Sequence, residues 1–203
     1  GYQSCFLANE YGCFVAGIDP WNDRQDGRPH VDHLMDNARA WEVEDRVLGI
    51  QVGVPDTHFA TNSFDYVYTT TALEMLRGLQ GETAYREALA EIHRVLSPGR
   101  LMALAEPMHL DVEIPADLVS LISQGDHPWT DFFATIEETE EAVLCAGFEI
   151  LEAGYAPEAR LWWEEYARYD PSSRRDPQGE ARTIAIDNGR WLSFGYVIAR
   201  KRP

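Results

Sequence analysis

The sequence has few basic residues and no long apolar stretch, and each shortage excludes a class of protein. It carries 17 lysines and arginines against 34 aspartates and glutamates, which gives a formal charge of -17. Nucleic acids and anionic membranes are recognised by basic surfaces, so we expect neither as a partner. No run of about 18 apolar residues is available to span a membrane.

Cysteine is also scarce. Cys5, Cys13 and Cys145 are widely spaced and form no CxxC pair. An odd and sparse set of this kind indicates a reducing compartment and no disulfide framework. The chain does not open on a basic segment followed by an apolar one, as a secretion signal would. We therefore expect a cytoplasmic protein, and 203 residues suit a single domain with a full core.

Short apolar runs alternate with segments of helical spacing, which predicts an α/β fold with helices on both faces of a sheet. The run from Cys13 to Ile18 is typical of a parallel strand buried on both faces. Thr135 followed by Glu138 predicts a capping box at a helix start. Further strands are predicted at 46–52, 65–70, 101–105, 148–153 and 191–199, helices at 4–11, 31–41, 82–96, 136–146 and 158–169, and a polar loop at 170–180.

Ligands bind such sheets at the carboxyl ends of the parallel strands. Polar or acidic clusters follow four predicted strands, namely Asp19, Gly53 to His58, Thr69 to Glu74, and Glu106 to His109. Residues 107–130, rich in Pro and Asp, are predicted to be an insertion or lid over this edge. The aromatic stretch "RLWWEEYARYD" suits either core packing or a cage for a cationic substrate.

Four stretches resemble the class I S-adenosylmethionine-dependent methyltransferases, especially those acting on small molecules. They are "LANEYGCFVAGIDPW", "NSFDYVYTTTALEML", "LAEIHRVLSPGRLMAL" and "EEAVLCAGFEILEA", and they occur in the order that this family shows. The resemblance implies a Rossmann-like, doubly wound, mostly parallel sheet with an antiparallel last strand, in a three-layer sandwich. It also implies S-adenosylmethionine as cofactor and a small-molecule methyl acceptor, with homodimer formation left open.

The same resemblance assigns a first group of cofactor-binding residues. Asp19 would bind the ribose hydroxyls, which suit a carboxylate that accepts two hydrogen bonds. The competing interpretation is a helix N-cap or a turn residue before Pro20. Pro20 and Trp21 would pack against the adenine, although Trp21 could equally cap the sheet edge. Gly1 would be the last glycine of the family's glycine-rich turn.

A second group follows the later strands. Gly53 stands where the family usually has an acid that contacts the adenine, so either Asp56 or the backbone of Val54 would make that contact. Asp56 is equally suited to a solvated turn. Thr69 and Thr70 would lie beneath the methionine part of the cofactor, or they are ordinary strand residues.

The candidate catalytic residues are His109, Glu74 and Glu106. His109 follows a core strand, where a neutral imidazole could accept a proton from the acceptor. Glu74 could act as a base or anchor a cationic substrate, although it also suits a helix start. Glu106 leaves the sheet together with His109, beside the expected substrate. The acids near His109 lack the spacing of a metal motif, so no metal is expected. Four further histidines, His30, His33, His93 and His127, are interpreted as ordinary surface residues.

The family's first strand and most of its glycine-rich turn have no counterpart here, and we expect both to lie upstream of residue 1. Two alternatives to a methyltransferase remain open. A non-catalytic member of the family would explain Gly53 and the missing turn. A nicotinamide dehydrogenase would also use an acid such as Asp19 at a strand end, but it would not explain "NSFDYVY" or "HRVLSPGR".

Overall fold

A computed structural model describes residues 1–124, 126–170 and 179–203. The chain forms two compact units, residues 1–58 and residues 59–203. Most of the predicted polar loop at 170–180 lies outside the described residues. The single domain and the lid over 107–130 stay predictions.

The first unit is a pair of parallel strands with two helices. Gly12 ends the first helix in the left-handed conformation, with φ 65°, where a glycine has no steric penalty. The two strands pair in register from Val15 opposite Val47 to Ile18 opposite Ile50. A small core holds the unit together, made by Cys5, Ala8, Leu34, Ala38, Val43 and Val47. Its elements are α1 (Tyr2–Tyr11), β1 (Val15–Ile18), α2 (His30–Ala40) and β2 (Val47–Ile50).

The second unit is built on a four-stranded sheet in the order β3-β4-β6-β5. β3 and β4 are parallel, and β6 runs antiparallel to both β4 and β5. Its strands are β3 (Phe64–Thr70), β4 (Leu96–His109), β5 (Phe148–Tyr155) and β6 (Leu192–Lys201). Its helices are α3 (Leu73–Gln80), α4 (Glu82–Val95), α5 (Val119–Ile122), α6 (Trp129–Phe132), α7 (Ile136–Cys145), α8 (Ala159–Tyr169) and α9 (Glu180–Asp187).

The predicted α/β class, with mostly parallel strands and an antiparallel last strand, is confirmed. The capping box of α7 is also present, since Thr135 accepts from the Glu138 N–H and the Glu138 side chain accepts from the Thr135 N–H. Four helices, α3, α5, α6 and α9, were not predicted. The strand predicted at 101–105 is longer, because β4 pairs with β6 as far as His109 opposite Leu192.

The segment after β4 packs against the helices that follow β5. Trp191 is 1% exposed and lies in a cluster with Leu118, Ile122, Ile184 and Leu192. The rings of Trp129 and Trp163 stack against this cluster with centroids 6.0 Å apart. Within the part of the chain that the structure describes, no helix is both long enough and apolar enough to cross a membrane.

Candidate active site

A cavity of about 240 Å³ lies at the carboxyl end of β1 in the first unit, and polar groups line it. Gly1 and Asp19, two of the predicted cofactor residues, both border this cavity, together with Ser4 and His30. Gly17 on β1 also borders it, and a side chain there would collide with Leu34. The structure thus brings the Asp19 carboxylate and Gly1, the N-cap of α1, to the border of the same cavity.

Asp19 has a partner for each carboxylate oxygen. Its Oδ1 accepts from the Trp21 N–H at 2.8 Å, which closes the turn after β1. Its Oδ2 lies 3.2 Å from Nδ1 of His30, at the start of α2. A carboxylate offers about four acceptor sites, so these two contacts leave capacity for further donors. The turn contact and a ligand contact are therefore compatible in one side chain.

His30 is the residue of this cavity that the sequence interpretation missed. It follows Pro29, and its backbone N–H donates to the Trp21 carbonyl at 3.0 Å. This bond places the imidazole beside Asp19, 11 residues away in the chain. A lone histidine at that separation gives no local pattern, and no periodicity in the sequence could have pointed to it.

The missing family acid at Gly53 has a steric explanation. A Cβ on Gly53 would lie 2.9 Å from Cγ of Pro20, so a side chain there requires the proline ring to move. Val54 lies in the tight turn that follows, which the Asp56 N–H closes by donating to the Gly53 carbonyl at 3.2 Å. Asp56 itself is exposed and pairs with Nδ1 of His58 at 2.9 Å. Neither Gly53 nor Asp56 is among the described residues that border the Asp19 cavity.

In the second unit, Glu74 and Glu106 form a buried carboxyl pair. They are 5% and 2% exposed. Glu106, on β4, accepts from the Leu73 N–H at 2.9 Å through its Oε1. Ala72, the N-cap of α3, makes no side-chain capping bond. Glu106, from β4, thus supplies the hydrogen-bond acceptor that the N-cap of α3 does not provide.

Burial, and after it the neighbouring Glu106 carboxylate, raise the pKa of Glu74 to about 9. Burial also raises the pKa of Glu106, although the Leu73 N–H opposes that change. Two carboxyls that form a hydrogen bond with each other share one proton rather than ionise together. We assign the proton to Glu74 at neutral pH, because Glu106 accepts from the backbone. Glu74 in that state is a proton donor and not a base.

His109 lies on the other face of β4 from Glu106. Glu106 lies on the same face as the buried Met102, Leu104 and Met108, whereas the His109 ring stacks on Trp191 with centroids 4.7 Å apart. Its Nδ1 donates to the Leu110 carbonyl at 2.8 Å. In the neutral ring this leaves the lone pair on Nε2, as a general base needs. The three predicted catalytic residues therefore form one pair and one separate histidine.

Thr69 and Thr70 end β3 and pair with Leu104 and Ala105 of β4. Thr70 borders a second cavity, of about 310 Å³, which we call the aromatic cavity. Its walls carry the rings of Tyr68, Trp162, Phe194 and Tyr196. Among the described residues, no three His, Cys, Asp or Glu side chains are grouped so as to hold a metal ion.

The sequence matches the family model of the methyltransferase domain over residues 1–104, about half of the chain. No curated protein matches it significantly. Solved structures similar to this chain include the (4+2)-cyclase SpnF, with 22% identity and a TM-score of 0.71, covering 97% of this chain and 70% of that one.

Two further similar structures are methyltransferases by name. A putative sarcosine dimethylglycine methyltransferase from Galdieria sulphuraria has 15% identity and a TM-score of 0.71, covering 97% of this chain and 73% of that one. A geranyl diphosphate methyltransferase in complex with S-adenosylmethionine has 15% identity and a TM-score of 0.72, covering 97% and 72%. Identities this low establish a shared fold alone. Together with the family match over residues 1–104, they show that the chain belongs to the methyltransferase domain family.

Proposed function

We propose that this protein transfers a methyl group from S-adenosylmethionine to a small-molecule acceptor. The observation that carries the proposal is the Asp19 cavity at the carboxyl end of β1, within the part of the chain that matches the methyltransferase domain. The similar geranyl diphosphate methyltransferase was solved with S-adenosylmethionine bound, which supports the same cofactor here.

The residues around the cavity fit this cofactor. Its ribose carries two hydroxyl donors, and Asp19 keeps acceptor sites beyond those used by Trp21 and His30. Gly1 borders the same space, and a Cβ on Gly1 would lie 3.0 Å from Cδ1 of Leu34, so this position has little room for a side chain. These residues would hold the ribose and the groups next to it.

When bound, S-adenosylmethionine supplies a methyl group on a positively charged sulfur, which is a strong electrophile. The protein then has mainly to position the acceptor, because well-aligned reactants need little further catalysis. For an acceptor that loses a proton on methylation, His109 is the candidate general base, and its Nε2 would accept that proton. Glu74, which holds its proton at neutral pH, is suited to donating a hydrogen bond and not to acting as a base.

A second candidate is a family member that does not transfer methyl groups. It is favoured by Gly53, which packs against Pro20, and by Asp56, which pairs with His58 in solvent. The fold also accommodates other chemistry, since the similar SpnF is a (4+2)-cyclase. The family match gives no comparable support to the other alternative, a nicotinamide dehydrogenase.

Calorimetric titration separates these candidates. We expect S-adenosylmethionine and S-adenosylhomocysteine to bind in the micromolar range and NAD not to bind. Release of S-adenosylhomocysteine in the presence of small amines, alcohols and thiols then tests turnover. Binding of NAD without either sulfur compound would overturn the proposal. Tight binding with no turnover over the whole acceptor set would favour the second candidate.

A further inference from the structure

The loop after β1, residues 22–29, folds back on itself and returns the chain to the end of that strand. Its two ends pair at an isolated β-bridge between Asn22 and Pro29. The next residue, His30, is the first of α2, and the bridge brings it back to Asp19, 11 positions earlier in the chain. The fold of this loop therefore builds the contact between the two side chains.

The contact with His30 orients the Asp19 carboxylate and leaves its charge in place. An ionised carboxylate only accepts hydrogen bonds, so Nδ1 of His30, 3.2 Å from Oδ2, is the atom that carries the proton. The other oxygen, Oδ1, accepts from the Trp21 N–H at 2.8 Å. One donor on each oxygen fixes the plane of the carboxylate. A histidine in its neutral form adds no positive charge, as an arginine would, so it orients the anion without neutralising it.

Both members of this pair border the Asp19 cavity. The His30 side chain is 40% exposed and that of Asp19 is 34% exposed, so a ligand in the cavity can reach them. Two neighbouring ribose hydroxyls can donate to one carboxylate only if its plane faces them. A binding group that is oriented before the ligand arrives lowers the ordering cost of binding.

α2 carries a second histidine–aspartate pair away from the cavity. Nε2 of His33 lies 3.2 Å from Oδ2 of Asp26, the same separation as in the first pair. These side chains are 37% and 43% exposed, close to the values of the first pair. Neither residue is among those described as bordering the Asp19 cavity. The second pair thus provides a matched comparison for a contact that only ties α2 to the loop before it.

We propose that His30 is a positioning residue for the cofactor ribose and acts by orienting Asp19. This inference rests on the proposed binding of S-adenosylmethionine. The competing role is a tether that only holds the start of α2 at the end of β1. Loss of a tether weakens every ligand of the cavity alike, whereas loss of an orienting residue weakens only ligands that carry the ribose hydroxyls.

The test compares S-adenosylhomocysteine with its 2′,3′-dideoxy form, which lacks both ribose hydroxyls. Each is titrated by calorimetry into the full chain and into His30→Ala. We expect His30→Ala to bind S-adenosylhomocysteine about fivefold more weakly, the effect of one hydrogen bond, and to bind the dideoxy form as the original chain does. An equal loss for both ligands would show a tether and overturn the inference.

Conservative variants separate the orienting contact from the rest of the side chain. The amide nitrogen of His30→Asn lies near the place of Nδ1, whereas that of His30→Gln lies near the place of Nε2. Because the contact uses Nδ1, we expect His30→Asn to stay within about twofold of the original affinity and His30→Gln to lose about fivefold. Equal affinities in these two variants would overturn the inference, even if His30→Ala failed to fold.

His33→Ala is the matched control and should bind S-adenosylhomocysteine as the original chain does. A loss as large as that of His30→Ala would show that any contact of α2 has this effect, and would overturn the inference. Thermal unfolding checks that each variant is folded.

The two proposals fail in different ways. If S-adenosylhomocysteine binds the original chain and all the His30 variants equally, the role of His30 is overturned and the proposed function stands. If neither S-adenosylhomocysteine nor S-adenosylmethionine binds the original chain, the proposed function is overturned, and the inference with it.

Discussion

Asp19 contributes one oxygen to a turn and faces His30 with the other, so its charge and its turn contact can be tested separately. Asp19→Asn keeps an acceptor for the Trp21 N–H but removes the negative charge. We expect the variant to stay folded and to bind S-adenosylmethionine about 1–3 kcal/mol more weakly, as for other hydrogen bonds to charged groups. Calorimetry gives the affinity, and thermal unfolding checks the fold.

Asp23→Asn provides the control for this prediction. Asp23 also closes a turn, by accepting from the Gln25 N–H at 2.6 Å, but it does not border the Asp19 cavity. Its substitution should leave cofactor affinity unchanged. If both variants bind the cofactor as the original chain does, Asp19 is a turn residue only.

Gly53 is a second position where one residue decides the local structure. A methyl group added there would overlap the Pro20 ring, so we expect Gly53→Ala to lower the free energy of unfolding by about 1–3 kcal/mol. Adding Pro20→Ala should recover part of that loss, because the clash partner is removed. Chemical denaturation of the two single variants and the double variant measures the coupling. Additive effects would mean that the turn adjusts without contact between these residues.

At the scale of elements, the start of α3 depends on a shared proton. The folded chain keeps the Glu74 proton up to a pKa of about 9, whereas an ordinary glutamate, as in the unfolded chain, has a pKa of 4.5. Between these values unfolding releases a proton, so this group makes stability fall as pH rises, by about 1.4 kcal/mol per pH unit. Its contribution is fully present below the unfolded pKa and is lost as pH rises through the folded one.

Glu74→Gln imitates the protonated side chain and can still donate to Glu106. We therefore expect its stability to fall less with pH than that of the original chain, with the difference growing between about pH 6 and pH 8. Denaturant unfolding at several pH values measures both slopes. Glu87→Gln, at an exposed position on α4, should keep the original slope. A Glu74→Gln variant that also keeps it would show that Glu74 is ionised in the folded protein.

The elements that the sequence predicts are those whose signals are local. α7 begins with Thr135 and Glu138, three residues apart, and both capping bonds form. α3 was missed because its acceptor, Glu106, is 33 residues away from Leu73. α9 was missed because Gly179 precedes it without a side-chain cap. Strand positions were predictable from apolar runs, while the length of β4 depends on its pairing with β6.

The residues of the candidate site also divide into those with a local sequence signal and those whose contacts depend on packing. A carboxylate directly after an apolar strand is visible in the sequence, so Asp19 was found, whereas its neighbour His30 was not. Glu74 and Glu106 were proposed separately from two strand ends, but their pairing requires the packing of α3 against β4. Which face of β4 His109 occupies follows from the strand's alternation only once its register is known.

At the scale of the whole molecule, the dominant electrostatic feature is the net charge of -17. The described ion pairs are mostly between exposed side chains, such as Arg28 with Asp36 at 2.9 Å, and such pairs contribute little. The excess of acidic groups, by contrast, repels itself throughout the chain. We expect the melting temperature to rise when salt is increased from a few millimolar to about 0.15 M, where the Debye length is about 8 Å.

Sucrose at matched osmolality is the control for this prediction, since it does not screen charge. If salt lowers the melting temperature while sucrose does not, local ion pairs outweigh the overall repulsion. Calorimetric scans in both solutes decide between the two.

The position of β6 has a consequence for the order in which the protein is made. Among the strands of the described residues, β6 comes last along the chain, yet it lies between β4 and β5 in the sheet. A ribosome delivers β4 and β5 long before the strand that joins them, and until then neither can pair with it. Lys201 also donates to the carbonyls of His93 and Leu96, which lie at the end of α4 and the start of β4. During synthesis the chain therefore passes through a stage in which one edge of β4 and one edge of β5 are unpaired. Unpaired strand edges are prone to aggregation, so this is the stage at which chaperones are most needed.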